Sequence, residues 1–192
     1  MPFTYLGLPL SIYKLGTQSF APLLQRIESR LFGINKMLSY HGRLLLVNSV
    51  FSAMPTYYMC TLLLPPKVIE QIDKYRKHCL WSGGDINKKG KCLAAWEATY
   101  RNKKDGGLGI IDINKQNKAL LLKFLDKFYN QADTPWVKLT WDKLYQNHNT
   151  PPHARHPSGS FWWKDTLKLN SMYRSMNFCH LGNGYSILFW FD

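Results

Sequence analysis

The chain has 192 residues, enough for one domain or two small ones with a buried core. Apolar residues make up 45% and aromatics 15%, too many for a disordered basic tail, and four cysteines are too few for a disulfide-stapled miniprotein and fit a reducing compartment. Lys and Arg number 25 against 12 Asp and Glu, a formal net charge of +13, which points to a polyanionic partner: nucleic acid or an anionic membrane surface.

A short β-like segment around Phe3–Leu8 opens the chain. With no basic leader and with Pro9 interrupting it, this start does not read as a secretory signal. Thr17 or Ser19 is placed to cap a helix whose apolar positions Phe20, Leu23, Leu24, Ile27 and Leu31 keep helical spacing, and Gly33 ends it. A second helix is expected from about Gly42 to Met54, with Leu44, Val47, Phe51 and Met54 on one face and Leu46, Val50 and Ala53 on another. Apolar on most sides, it belongs in the middle of a bundle. The uncharged stretch Leu44–Pro66 is long enough to cross a bilayer. Its polar residues Asn48, Ser49, Ser52 and Thr56 and the break at Pro55 favour two buried helices instead, so no membrane partner is expected.

Pro65 and Pro66 open the next long helix, where a first turn tolerates them. Val68, Ile69, Ile72, Tyr75, Cys79 and Leu80 form its buried stripe, Lys67, Gln71, Lys74 and His78 a polar one, and Ser82-Gly83-Gly84 breaks it. A basic loop over Asp85–Lys91 carries Lys88, Lys89 and Lys91. A short amphipathic piece, Trp96–Tyr100, leads into a second basic turn with Arg101, Lys103 and Lys104, closed by Gly106-Gly107-Leu108-Gly109. Helix returns over about Ile113–Tyr129, with Leu121, Phe124, Leu125 and Phe128 on one face, and over roughly Pro135–Gln146, with Trp136, Val137, Trp141 and Leu144. Asn147–Gly159, with three prolines, three histidines and no apolar period, reads as a linker. Ser160 is placed to cap a helix through Phe161, Trp162, Leu167 and Leu169. Strands around Met176–Leu181 and Tyr185–Phe191 then flank Gly182-Asn183-Gly184, a hairpin turn. A strand closing an otherwise helical chain reads as truncation.

No catalytic constellation stands out. Cys60, Cys79, Cys92 and Cys179 form no Cys-x-x-Cys pair of the kind that delivers two ligands to one zinc tetrahedron, so no metal site is assigned. The acids are scattered, with no Asp-Asp, Asp-x-Asp or Glu-x-Asp to gather two cations. A nucleophile elbow and a phosphate-binding Gly-rich loop are both absent, and no cofactor is expected. The chemistry that remains is electrostatic. Lys88, Lys89, Lys91, Arg101, Lys103 and Lys104 lie in two loops flanking Trp96, where they can share one surface, and lysine suits backbone phosphate better than base edges. About six such contacts make affinity fall roughly 10³-fold between 50 and 200 mM salt.

An ordered series of motifs gives a more specific reading. It runs Tyr5-Leu6-Gly7-Leu8-Pro9-Leu10, Leu38-Ser39-Tyr40-His41-Gly42-Arg43-Leu44, and Ser49-Val50-Phe51-Ser52-Ala53-Met54-Pro55-Thr56-Tyr57-Tyr58-Met59. Leu64-Pro65, Leu80-Trp81, Trp96 and Gly106-Gly107-Leu108-Gly109-Ile110 come next, then Pro135-Trp136-Val137, Ser160-Phe161-Trp162-Trp163, Gly182-Asn183-Gly184 and Phe189-Trp190-Phe191-Asp192. The series resembles the region just after the catalytic palm in plant LINE-type (non-LTR) retrotransposon reverse transcriptases.

The resemblance implies a mainly α fold: a thumb-like helical bundle with a short N-terminal β segment and a small C-terminal α+β hairpin element. It implies five parts: the end of a palm over 1–16, the thumb over 17–84, a basic connector with helices over 85–146, the linker over 147–159, and the start of a reverse-transcriptase zinc-binding region over 160–192. Tyr5, Leu6 and Gly7 would match the primer grip. Lys36 and Arg43, near the start of the second helix, would join the basic residues above on the backbone of a template–primer duplex such as an RNA–DNA hybrid. The family's catalytic palm would precede Met1 and be an intramolecular partner, so the chain by itself is not expected to be an enzyme. Tyr100 and Asn102 stand where relatives often carry Cys and Pro, a departure that bears on the local loop. Two other readings are a piece of a working RNA-directed DNA polymerase and a helical protein-interaction module.

Overall fold

Two strands, β1 (Phe3–Tyr5) and β2 (Leu8–Leu10), pair antiparallel with Phe3 opposite Leu10 and Tyr5 opposite Leu8. The loop between them is two residues long, Leu6 and Gly7, both with positive φ (48° and 80°), the twist that a tight hairpin requires. Leu6 adopts that conformation at a steric cost that glycine does not incur. Two tyrosines help to hold it: the Tyr57 hydroxyl donates to the Leu6 carbonyl at 2.7 Å and the Tyr58 hydroxyl to the Gly7 carbonyl at 3.1 Å.

The computed structural model describes residues 3–33, 38–83, 92–145 and 159–178. Its helices are α1 (Ala21–Phe32), α2 (Tyr40–Leu46, continued by a π-helical turn Val47–Phe51), α3 (Thr56–Met59) and α4 (Pro66–Ser82). They continue with α5 (Trp96–Thr99), α6 (Ile113–Tyr129), α7 (Pro135–Leu144), α8 (Phe161–Leu167) and α9 (Asn170–Met176). The fold is mainly helical, as expected, and the expected N-terminal β segment is a two-stranded hairpin. Among the described residues no helix is long and apolar enough to cross a membrane. The C-terminal strands expected beyond residue 178, Cys179 and the linker apart from Gly159 lie outside the described residues.

Packing divides the described residues into two units, one drawn from 1–11 and 15–117, the other from 12–14 and 118–192. In the first, α1 and α2 pack on α4. Phe20, Leu23, Ile27 and Leu31 from α1 and the turn before it, Val47 and Phe51 from the π turn, and Val68, Ile72, Cys79 and Leu80 from α4 make the core with Met59 and Ile110. Each of the larger side chains contributes roughly 1.5–3 kcal/mol by leaving water. A short 3-10 turn, Thr17–Phe20, precedes α1, and neither Thr17 nor Ser19 caps it; Pro22 sits in the first turn of α1. Ser39 does cap α2, accepting from the Gly42 amide at 3.2 Å, so that helix starts earlier than apolar spacing alone implied. It is also less enclosed than expected, because Leu45 and Ala53 are exposed. On α4 the fully buried positions are not the whole apolar stripe: Ile69 and Tyr75 are half-buried, while Asp73 and Arg76 are inside.

Asn117, fully buried on α6, clamps the turn between α3 and α4. Its Oδ1 accepts from the Leu64 amide at 2.8 Å, and its Nδ2 donates to the carbonyls of Met59 (3.0 Å) and Leu62 (2.9 Å). One side chain thus satisfies three backbone groups that have no helical partner.

The second unit is organised around Phe128 of α6. Its ring stacks on Trp141 (centroids 4.8 Å apart, planes 8° apart) and meets Trp163 at 4.7 Å and Tyr145 at 5.4 Å. The polar ends of these rings are satisfied: Trp141 Nε1 donates to the Phe128 carbonyl at 3.2 Å, and Trp163 Nε1 to the Tyr145 hydroxyl at 3.1 Å. Ser160 caps α8 by accepting from the Trp163 amide at 3.2 Å. Helix then resumes as α9 to Met176, where the spacing of residues implied the start of a strand; Asn177 ends it in extended conformation.

Replacing Asn117 with Ala strands three buried backbone groups, and urea unfolding should show a loss of about 3 kcal/mol. A second outcome concerns Cys79. Burial raises its thiol from 9.0 to about 11, against the opposing pull of the Arg43 guanidinium. The neutral thiol is favoured in the folded state, so this stabilisation is complete below pH 9 and is lost as pH rises towards 11. Urea midpoints at pH 8.5, 9.5 and 10.5 should fall more steeply for the native chain than for Cys79→Ala.

Candidate nucleic-acid interface

The basic turn lies between α5 and α6, and its backbone is bonded to itself at nearly every step. The Gly107 amide donates to Asn102, Gly106 to Lys103 and Gly109 to Arg101, at 3.0, 3.3 and 2.9 Å. The amides of Leu108 and Ile110 both donate to the Thr99 carbonyl, at 3.2 and 3.1 Å, which seats the turn on the end of α5. Glycine is required at position 107: a Cβ there would lie 2.1 Å from the Arg101 carbonyl oxygen. Gly106 and Gly109 supply positive φ (77° and 64°).

Arg101, Lys103 and Lys104 project from this turn exposed, with Asp105 beside them. Cations on a hydrogen-bonded backbone lose less freedom on meeting an anion than cations on a slack loop. Of the other basic candidates, Lys36, Lys88, Lys89 and Lys91 lie outside the described residues. Arg43 is half-buried and part of its guanidinium serves the fold: Nε donates to the Leu38 carbonyl at 3.1 Å. The group lies against Gly83, the left-handed residue that ends α4, so close that a Cβ on Gly83 would sit 2.7 Å from Arg43 Cζ. A positive charge at the carbonyl end of a helix is favourable there by roughly 0.3–1 kcal/mol. Tyr5 and Leu6, at the hairpin tip, are 59% and 74% exposed, and Gly7 is exposed beside them.

Beneath the basic turn is a buried ion pair that apolar spacing did not reveal. Arg76 of α4 has no exposure. Its Nη1 meets Asp73 Oδ1 at 2.6 Å, and its Nη2 donates to Ser52 Oγ at 3.0 Å and to the Ile111 carbonyl at 2.6 Å. The guanidinium also lies 5.5 Å from the Trp96 ring centroid. Tyr100 completes the group, its hydroxyl donating to Asp73 Oδ2 at 2.8 Å. Burial pulls the Arg76 pKa down, and Asp73 opposes that pull. Burial, reinforced by the Asp73 charge, pushes Tyr100 well above its ordinary value. A signal for this pair existed in the sequence: position 76 falls four residues after Ile72 and three before Cys79, in phase with the apolar stripe.

Among the described residues no three His, Cys, Asp or Glu side chains stand together as a metal ion needs. The arrangement is an exposed cationic turn fastened over a buried Arg76–Asp73 ion pair.

The chain is 29% identical over 189 residues to a protein of Arabidopsis thaliana described as "Putative ribonuclease H protein". The match takes in 96% of this chain and 30% of that protein, so the chain spans less than a third of its relative's length. At this identity the two are distant homologues. No protein-family model and no solved structure matches the chain.

The glycine geometry yields a contrast. Gly106→Ala meets open space but a positive φ, costing about 1 kcal/mol. Gly107→Ala drives a methyl into the Arg101 carbonyl and should cost at least about 2 kcal/mol. Parallel urea titrations of the two variants test the order.

Proposed function

We propose that this chain is the thumb and connector of a plant LINE-type retrotransposon reverse transcriptase, without catalytic activity alone, that grips the phosphate backbone of a template–primer duplex. Three things support the reading: the ordered motif series, the +13 net charge, and the basic turn. The turn carries it furthest, because Arg101, Lys103 and Lys104 are all exposed on a backbone whose shape is fixed by its own hydrogen bonds. In this reading the hairpin tip Tyr5-Leu6-Gly7 supports the primer end, Lys36, Arg43, Lys88, Lys89 and Lys91 extend the cationic surface, and the family's palm packs on the hairpin. The relative described as a ribonuclease H protein fits a retroelement origin.

A specific observation favours a second reading, a protein-interaction module: Phe3, Tyr5, Leu6 and Tyr57 are large, apolar or aromatic, and exposed on and beside the hairpin. Such a surface is what a docked protein covers.

Titration of a labelled RNA–DNA hybrid between 50 and 200 mM salt distinguishes them. Changing Arg101, Lys103 and Lys104 to Gln should flatten the plot of log K against log salt. The expected change is roughly 0.9 for each phosphate no longer neutralised on B-form duplex, with a comparable effect on hybrid. An unchanged slope removes the turn from the interface. Primer extension by the purified chain would overturn the claim that it lacks catalysis.

A further inference from the structure

Asn48 stands on the π-helical turn that continues α2, half-buried, and reaches across to the far end of the basic turn. Its Nδ2 donates to the Gly109 carbonyl and its Oδ1 accepts from the Ile111 amide, both at 3.3 Å. One helical turn further on, Ser52 accepts from Arg76, which in turn donates to the Ile111 carbonyl. Residues 109–111 are thereby held twice, once by an ion pair in the core and once by an amide near the surface.

These two fastenings do different work. Arg76 is fully buried and belongs to the core, so its loss endangers the fold. Asn48 makes two long bonds at a half-buried site, and such bonds contribute little to net stability. They do set the direction in which the segment leaves Gly109, and through the Gly109–Arg101 bond they bear on the backbone that carries the cations.

We infer that Asn48 is a positioning residue for the cationic turn: it touches no phosphate, and it raises affinity for a nucleic-acid backbone by holding the turn in its binding-ready shape. This rests on the functional reading above. The physical signature is a shift of affinity at constant salt dependence. The salt slope counts phosphate contacts, which Asn48 does not make, whereas preorganisation adds the same factor at every salt concentration.

The test uses the full chain, an RNA–DNA hybrid probe, and three variants: Asn48→Ala, Asn48→Asp, and the Arg101→Gln/Lys103→Gln/Lys104→Gln triple. Asn48→Ala should bind about three- to tenfold more weakly throughout 50–200 mM salt with the native slope, and the amides of residues 107–111 should exchange faster. Asn48→Asp supplies an independent readout. As a carboxylate it accepts from Ile111 but repels the Gly109 carbonyl; protonated, it donates to that carbonyl as the amide does. Its affinity relative to the native chain should therefore be low at pH 7.5 and recover only as pH falls through the ordinary Asp range, about 3.9.

Native affinity in Asn48→Ala, a slope as flat as the triple variant's, or no recovery of Asn48→Asp at low pH overturns the role of Asn48. If the triple variant keeps the native slope, the functional reading itself fails and the role of Asn48 falls with it. A flattened triple together with an unaffected Asn48→Ala removes only the positioning role.

Discussion

A guanidinium with no solvent exposure is the constraint around which the first unit is arranged. Burying the Arg76 charge is costly unless acceptors and a counter-charge surround it, and here the two terminal nitrogens find them while Nε is buried without a hydrogen-bond partner. The surrounding elements supply them: α4 its own Asp73, the end of the π turn Ser52, the approach to α6 the Ile111 carbonyl, and α5 the face of Trp96. Each partner is useful only at short range, so together they fix where α2, α5 and the segment before α6 stand against α4.

That constraint connects a core interaction to an exposed surface. The segment that gives Ile111 to Arg76 leads directly out of the glycine-rich turn, and Tyr100, which bonds Asp73, leads directly into it. The turn is thus held at its entrance and its exit, with Thr99 and its own amides fixing the residues between. Cationic side chains are mobile and strongly hydrated; what the fold provides is a stationary backbone from which they extend.

Elsewhere the same division recurs. The hairpin tip is exposed, yet its strained Leu6-Gly7 loop is pinned by the hydroxyls of Tyr57 and Tyr58. The second unit buries Phe128, Tyr145 and Trp163 and packs half-buried Trp141 on Phe128, where ring contacts and two indole hydrogen bonds use them.

Much of the fold was legible in local pattern. Apolar spacing located α1, α4 and α6, because a helix that buries one face must repeat its apolar residues every three or four positions. Pro66, Gly83 and Ser160 marked ends by their own backbone or capping chemistry. The exposed basic turn was legible too, since charge and glycine are properties of the residues themselves. What spacing could not supply was the use of polar side chains over long sequence separations. Asn48, Asp73, Arg76 and Asn117 are ordinary polar residues until the chain brings partners to them from as many as 63 positions away. The sequence by itself therefore determined the mainly helical class, the charge, and the turn that displays it. Only the tertiary structure decided which charge would be buried and which amides would act as clamps, because a buried polar group is tolerated according to the partners that surround it, and those partners are assembled by folding.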